Sequence, residues 1–291
     1  MLQLDQNIRR NAENPVSPNI EKDAIVKFQV YRTHNAEALE IVKTALTLIQ
    51  NNVNSKVAIL VKQRGTNVGG IIETFNINEI PFFNGLFTDE DARYLLFHKR
   101  CLLEFIELIK TNRRITKKFA AFHLQKIKAL YKDDSNDLFV SLFALLEVFW
   151  KKCFELYSQI NNDEKIQLLR DTFENNGLKQ YLEFVDASIV ITTVHGAKGL
   201  EWDFVIIPDM EQDSFPNWNG NLCARGGCDH KGDCNLIIST NNEKDFLEEL
   251  SVFYVAITRA RKEVSFFASQ KDSKGYNKNV SCFMNLPGIK H

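Results

Sequence analysis

The amino-acid sequence predicts an α/β fold in which a parallel sheet flanked by helices is interrupted by an all-helical insertion. Strand-like and helix-like patterns alternate within residues 1–86, long amphipathic segments without a convincing strand fill residues 87–186, and the alternation resumes in residues 187–291. Each flanking part is too short for a complete doubly wound sheet. We therefore expect one discontinuous α/β domain, residues 1–86 and 187–291, around a helical domain, residues 87–186.

The first part alternates in the order strand, helix, strand, helix. The β-rich segment 24–31 predicts a strand, and apolar residues that recur every three or four positions in 35–50 predict a helix. The continuous apolar run 57–61 is typical of a buried parallel strand. A second helix is predicted at 67–75, followed by a short apolar stretch at 80–83. This order indicates parallel strands joined by helical connections.

The insertion and the second part follow the same periodicities. Amphipathic spacing predicts three helices in the insertion, at residues 94–110, 138–160 and 163–175, with Gly177 as a C-cap glycine. Beyond the insertion, the patterns predict two strands, a helix and a third strand, at residues 189–194, 204–207, 247–260 and 263–268.

Composition limits the classes of protein to which the chain can belong. Its 36 basic and 37 acidic residues nearly cancel, so any surface for nucleic acid must be local. No apolar stretch approaches the roughly 20 residues that cross a bilayer, and the amino terminus lacks the apolar core of a signal peptide. Six cysteines in 291 residues are too few for a disulfide scaffold. We therefore expect a cytoplasmic setting and no membrane partner.

The stretch HGAKGLEWD joins two of the predicted strands. Gly196 and Gly199 allow close approach of the backbone to a ligand, Lys198 adds a cation, and Glu201 can accept hydrogen bonds from a ribose. Backbone N–H groups left unpaired at the end of a strand would suit an anion. A solvated strand connection is the alternative, and it is favoured when the turn is considered alone.

A complete phosphate-binding loop is absent, because no G-x-x-x-x-G-K-[ST] sequence occurs. Asp209, at the end of a predicted strand, is therefore interpreted as a turn residue and not as a metal ligand. A second cationic cluster ends the helix predicted at 247–260, and it contains Arg259, Arg261 and Lys262. These cations either complement the helix macrodipole or include an arginine finger for phosphoryl transfer.

Three segments resemble motifs of the C-terminal half of UvrD/Rep-type superfamily 1 DNA helicases, in both order and spacing. LQLDQNIRRN is similar to "LEQNYRS", TTVHGAKGLEWDFVII to "LHSAKGLEF", and EELSVFYVAITRARKEV to "EERRLAYVGVTRA". The resemblance implies a second RecA-like motor domain whose helical insertion is identified by position alone. It places the P-loop and the Walker B carboxylates on a first motor domain. We therefore expect this chain to be inactive alone and to need that N-terminal motor domain as its partner.

The resemblance also implies roles for individual residues. The catalytic residues that would reach the γ-phosphate are Arg9 and Arg259. The implied nucleotide-binding residues are Glu201, Gly199, Gln6 and Asn7. The implied DNA-binding residues are His195, Lys198, Trp202 and Thr193. Three aromatic residues near the turn either stack on bases or pack in the core or a loop: Trp202, Phe215 and Trp218. Ile8 stands where the family usually has an aromatic residue, which removes a ring for base stacking.

The implied activity is that of an ATP-dependent DNA helicase that translocates on single-stranded DNA and separates duplex DNA. ATP and Mg²⁺ are its cofactors, and they would be shared with the first motor domain. The resemblance favours 3′-to-5′ movement and a role in repair or recombination. A basic run at residues 110–118 is either a solvated connector between helices or a contact for the DNA backbone.

A cysteine-rich loop separates the second and third motifs. Cys223, Cys228, His230 and Cys234 follow the spacing C-x4-C-x-H-x3-C. Thiolates and imidazole are the ligands that tetrahedral Zn²⁺ prefers, but this spacing matches no common zinc knuckle or ribbon. The loop is therefore either a zinc site or a surface insertion with reduced thiols. Two rival functions remain open: an inactive helicase-like module that binds DNA or protein, and a zinc-dependent interaction domain.

Overall fold

The computed structural model describes residues 25–62, 66–132, 136–217, 243–285 and 289. The chain divides into two compact units, residues 1–82 with 188–291, and residues 83–187. The division falls at residues 82 and 188, whereas the sequence predicts boundaries at 86 and 187. Among the described residues, no helix combines the length and apolar character that a membrane span requires.

The strands and helices alternate along the chain. The strands are β1 (Ile25–Tyr31), β2 (Val57–Val61), β3 (Phe83–Gly85), β4 (Ile189–Thr193), β5 (Trp202–Ile207) and β6 (Ala260–Ser269). The α-helices are α1 (His34–Asn51), α2 (Thr66–Ile77), α3 (Ala92–Thr111), α4 (Lys117–Leu130), α5 (Asp137–Glu155), α6 (Asn162–Glu174) and α7 (Glu243–Ile257). In the described part of the chain, 3₁₀ helices cover Gly177–Phe184 and Cys282–Asn285.

The sheet of the first unit has the strand order β1-β6-β5-β2-β4. Every neighbouring pair in this series is parallel. All carboxyl ends of these strands therefore lie at one edge of the sheet, and all amino ends lie at the opposite edge. This is the α/β, RecA-like parallel sheet with flanking helices that the sequence predicts, and the fold class is confirmed.

Burial explains why these segments form their strands. All five residues of β2 are 0% exposed, so the apolar run is buried on both faces, as the continuous pattern predicts. At the edge of the sheet, β1 instead alternates between exposed and half-buried residues. There the Lys27 ammonium group pairs with the Glu263 carboxylate of β6 at 2.9 Å.

The sequence misplaces the end of α7. The predicted helix extends to residue 260 and the following strand begins at 263, but α7 ends at Ile257 and β6 begins at Ala260. The hydroxyl of Thr258 donates to the carbonyls of Tyr254 and Val255, at 2.9 and 3.0 Å, and this local bonding accompanies the end of the helix. The cationic residues 261 and 262 consequently lie on a strand.

The helical unit also differs in detail from the predictions. Helix α4 is missing from the predicted helices, although Thr116 caps it by accepting a hydrogen bond from the Phe119 N–H at 3.1 Å. Helix α5 ends at Glu155 instead of residue 160. The left-handed residue between α6 and the next 3₁₀ helix is Asn176, with φ 53°, and not the predicted C-cap Gly177.

The core of the helical unit is aromatic and contains two fully buried histidines, His98 and His123. The Nδ1 of His98 lies 3.0 Å from the Tyr94 carbonyl, while its Nε2 accepts from the Leu178 N–H at 3.3 Å. Burial lowers the pKa of both histidines to about 4. Both imidazoles are therefore neutral parts of the core at neutral pH.

Candidate functional site

The turn after β4 is held together by its own hydrogen bonds. The Thr193 hydroxyl accepts from the Gly196 N–H at 3.0 Å, and the Thr193 carbonyl accepts from the Ala197 N–H at 3.0 Å. The Lys198 and Leu200 N–H groups also donate to carbonyls within the turn. We expected this turn to leave its N–H groups unpaired for an anion. That expectation is wrong for the N–H groups of Gly196, Ala197, Lys198 and Leu200.

Two glycines are required by the geometry of this turn. A Cβ on Gly196 would lie 2.8 Å from the Thr192 hydroxyl oxygen, which is closer than van der Waals contact. Gly199 has φ +84°, a left-handed conformation that other residues rarely adopt. Both glycines are thus explained by the shape of the turn, whether or not a ligand approaches it.

Replacement of Gly199 by alanine is expected to destabilise the chain by about 1–2 kcal/mol, because the new Cβ strains the left-handed backbone. The matched control is Gly69→Ala in α2, where a Cβ meets no atom within 4 Å. That substitution is expected to stabilise the chain by about 0.5–1 kcal/mol through helix propensity. Chemical denaturation of both variants checks the prediction, and two changes of the same sign would contradict it.

Arg259 joins the cationic end of α7 to this turn. Its Nη1 donates to the Leu200 carbonyl at 3.0 Å, and its Nε donates to the Val255 carbonyl at 3.0 Å. Its Nη2 donates to the Thr258 hydroxyl at 3.1 Å. A guanidinium group has five N–H donors. Three of them are bonded to described residues, which fixes the group and leaves two donors without a partner in that part of the chain.

A second arginine contacts the same turn from a more exposed position. The Arg261 Nε lies 3.1 Å from Glu201 Oε2, with the two side chains 60% and 51% exposed. A pair this exposed contributes little stability, so both side chains are available for other partners. Sequence analysis placed Arg261 in the cationic cluster but did not select it as a site residue.

Both contacts lie at the amino-terminal edge of the sheet. The Trp202 N–H donates to the Arg259 carbonyl at 2.9 Å, which joins the residues where β5 and β6 begin. The turn that leaves the carboxyl end of β4 therefore crosses to the opposite edge before β5 starts. Gly199, Glu201, Arg259 and Arg261 are brought together there.

The residues predicted to contact DNA are not equally accessible. His195 and Lys198 are exposed, and Thr193 is half-buried with its hydroxyl already accepting a hydrogen bond. Trp202 is only 6% exposed and packs in the core. Its burial favours the packing role that was the alternative to base stacking, and the same is true of Phe215, which is 1% exposed.

Several predicted residues lie outside the part of the chain that the structure describes. For the nucleotide site these are Gln6, Asn7 and Arg9. For the zinc site they are Cys223, Cys228, His230 and Cys234. Trp218, considered for base stacking, also lies outside. Their predicted roles remain predictions.

The opposite, carboxyl-terminal edge of the sheet contains a half-buried lysine that sequence analysis missed. Lys62, directly after β2, forms an ion pair with Glu249 of α7 and donates to the Ser214 carbonyl at 3.1 Å. Burial lowers the pKa of Lys62, and the bond to Glu249 opposes this effect. Because these partners are more than 150 positions away in the chain, no local pattern could reveal the pair.

These features define a RecA-like α/β domain in which a glycine-containing turn and an arginine-bearing helix end meet at the amino-terminal edge of a parallel sheet. Residues 146–271 match the family described as "UvrD-like helicase C-terminal domain". This match supports a C-terminal region of the UvrD/Rep helicase type.

Individual relatives support the same assignment. A "Probable DNA helicase II homolog" of Mycoplasma genitalium is 30% identical over 170 residues, which cover 55% of this chain and 21% of that protein. A protein of the same description from Mycoplasma capricolum is 24% identical over 286 residues, 86% of this chain and 35% of the relative. A "DNA helicase II" from Rickettsia typhi is 28% identical over 127 residues. The chain thus spans about a third or less of the length of these relatives.

Proposed function

We propose that this chain is the second motor domain of an ATP-dependent DNA helicase. In this role it supplies arginine fingers to an ATP site shared with a first motor domain, and it forms part of the track for single-stranded DNA. The observation that carries the proposal is the hydrogen bond from the Arg259 guanidinium to the Leu200 carbonyl, next to Glu201 in the chain. Residues from two separate helicase-like motifs are thereby positioned at one place.

The geometry around Arg259 fits a polyphosphate. Its two remaining N–H donors are of the kind that binds phosphate oxygens strongly. Arg259 would hold the γ-phosphate and stabilise the charge that develops on it during phosphoryl transfer. Glu201 would accept from the ribose hydroxyls once its exposed pair with Arg261 opens. Arg9 is proposed as a second finger from the similarity of its motif alone.

The first motor domain is proposed as the source of the other half of the site. Within the described residues, the one cluster with metal-ligating geometry, His34, Glu37 and Asp209, is not in the group around Arg259. We therefore propose that the first motor domain holds the P-loop and the ligands of the Mg²⁺ that accompanies ATP. When bound, ATP and Mg²⁺ supply the phosphoryl group and its charge neutralisation, and this chain positions its arginines against them. A cytoplasmic location is proposed with this function.

Single-stranded DNA is proposed to lie across the carboxyl-terminal side of β4. His195 and Lys198 are exposed there, immediately after the strand ends at Thr193. Lys198 offers a charge to one phosphate, and the imidazole of His195 offers a ring or a hydrogen bond to a base or sugar. With so few exposed groups, the affinity of this chain alone is expected to be low.

Replacement of Lys198 by alanine is expected to weaken single-stranded DNA binding and to reduce the salt dependence, the slope of log K against log salt, by about 0.7. The matched control is Lys43→Ala on α1, a lysine whose side chain is 72% exposed. Fluorescence anisotropy of a labelled oligonucleotide, over a range of salt concentrations, measures the affinity and the slope of log K against log salt for both variants. Equal losses in the two variants would contradict a specific contact at Lys198.

The ATP-dependent half of the proposal is tested by DNA-stimulated ATP hydrolysis. The assay uses this chain together with a P-loop motor domain. The two parts are either joined in one polypeptide or mixed as separate polypeptides. Hydrolysis that depends on both parts and on Arg259 supports the motor function. Hydrolysis unaffected by this chain would favour an inactive binding module.

A further inference from the structure

We propose that His34, Glu37 and Asp209 form a binding site for a divalent transition-metal cation, Mn²⁺ or Zn²⁺, with the Glu211 carboxylate nearby. His34 and Glu37 lie in the first turn of α1, directly after β1. Asp209 and Glu211 follow the end of β5. The site therefore lies at the carboxyl-terminal edge of the sheet, opposite the edge that presents Arg259.

The three groups already have the spacing of a metal site. One ligand atom from each of His34, Glu37 and Asp209 lies within 4.8 Å of the others. Ligand atoms bound to one such ion at about 2.1 Å are at most about 4.2 Å apart, so a small side-chain movement closes the site. One imidazole nitrogen with carboxylate oxygens is a donor set that suits Mn²⁺ or Zn²⁺.

A second layer of hydrogen bonds holds the carboxylates side by side. The Asn67 side-chain amide donates to Glu37 Oε2 at 3.3 Å and also to Asp209 Oδ1. The Asp209 N–H donates to Glu37 Oε1 at 3.1 Å. Asn67 therefore orients both proposed ligands, as groups around metal sites commonly do.

Two side chains at this site have buried polar atoms without a partner. Both ring nitrogens of His34 are shielded from solvent and make no hydrogen bond within the described residues. Glu211 is 0% exposed; its Oε1 accepts from the Ser269 N–H and hydroxyl, while its Oε2 has no partner in the same part of the chain. A bound cation would supply a partner for one ring nitrogen of His34 and a counter-charge close to Glu211.

Burial and mutual repulsion both raise the pKa of carboxyl groups in this cluster. Burial, followed by the charges of Glu211 and Asp209, raises the pKa of Glu37 to about 9. Burial, followed by the charge of Asp209, raises the pKa of Glu211 to about 7. Lys278 is close enough to oppose this excess of negative charge, and Asp272 adds to it near His34. A divalent cation would neutralise two carboxylates at once.

A cavity lies next to the site. It has a volume of about 400 Å³, and its lining includes His34, Asn67, Asp209, Lys62, Asp272 and Lys278. An ion could therefore enter without unfolding of the sheet. Once bound, it would fix the start of α1 to the loop that follows β5.

The test is Mn²⁺ binding followed by electron paramagnetic resonance, in which the signal of free aqueous Mn²⁺ falls as the ion binds. The protein is the 291-residue chain carrying Cys223→Ser, Cys228→Ser and Cys234→Ser, so that the thiolates of the separate cysteine loop cannot contribute. Compared in this background are His34→Gln, Asp209→Asn and the matched control Asp272→Asn, an aspartate that lines the same cavity.

We expect one saturable Mn²⁺ site, whose affinity falls at least 10-fold in His34→Gln and Asp209→Asn and stays within 2-fold in Asp272→Asn. Thermal unfolding without metal verifies that each variant is folded, and Glu37→Gln replaces any variant that is not. The proposal is overturned if Mn²⁺ uptake is not saturable. It is equally overturned if the ligand variants and the control bind alike.

Discussion

Replacement of Arg259 by alanine is expected to lower DNA-stimulated ATP turnover by a factor of about 10³–10⁵, the contribution of an arginine finger to phosphoryl transfer. The guanidinium is already held by carbonyls on both sides, Leu200 and Val255. It therefore needs little reorganisation to meet the charge that develops on the γ-phosphate. Steady-state ATP hydrolysis by the assembled two-domain motor, with saturating single-stranded DNA, measures the effect.

Two comparison variants separate catalysis from structure. Arg259→Lys keeps the positive charge but loses the planar donors, so most of the rate loss is expected to remain. Arg261→Ala removes an exposed arginine two residues away, and a loss of less than 10-fold is expected. Thermal unfolding of each variant verifies the fold. An equal loss of activity in Arg261→Ala and Arg259→Ala would contradict the assignment of the arginine finger to Arg259.

A decrease in pH from 7 to 5 is expected to lower the unfolding free energy of the helical unit by about 3–4 kcal/mol. Each buried histidine has a folded pKa of about 4, whereas the pKa of an unfolded histidine is near 6.5. Between these values the unfolded chain binds more protons than the folded one. The stability is therefore present above pH 6.5 and is lost as pH falls toward 4.

The hydrogen bonds of His123 explain why it resists protonation. The Trp150 Nε1–H donates to its Nδ1 at 3.1 Å, and its Nε2 lies 2.9 Å from the Cys101 carbonyl. Nδ1 must accept and Nε2 must donate, which only the neutral tautomer does. A second proton would break the bond to Trp150 inside an apolar core.

The test follows unfolding of α3 and α5 by hydrogen exchange in denaturant at pH 7, 6 and 5. His98→Gln keeps a donor and an acceptor but does not titrate, so about half of the pH dependence should disappear. The matched control is His195→Gln, which removes an exposed histidine and should leave the pH dependence unchanged. An unchanged pH dependence in His98→Gln would show that other groups govern the acid sensitivity.

The sequence predicts those features that depend on local pattern. Strand β2 is recognised because burial on both faces demands a continuous apolar run, and α1 because its apolar residues recur with helical spacing. Gly199 stands out because its backbone conformation favours glycine. In each case, neighbouring residues alone determine the structure.

The rest depends on contacts between distant parts of the chain. Arg259 reaches Leu200 only because β5 and β6 are adjacent and in the observed register, which no periodicity specifies. The cluster of Glu37, Asn67 and Asp209 assembles from three separate segments for the same reason. Trp202 was considered for base stacking because it lies next to the turn, but its strand directs it into the core.

The most direct test of the central claim is ATP hydrolysis by a P-loop motor domain, measured with single-stranded DNA in the presence and absence of this chain. We expect this chain alone to have no activity, and DNA-dependent hydrolysis to require both parts and to disappear with Arg259→Ala. Hydrolysis by the P-loop domain that is equally fast without this chain would contradict the claim that this chain completes the ATP site.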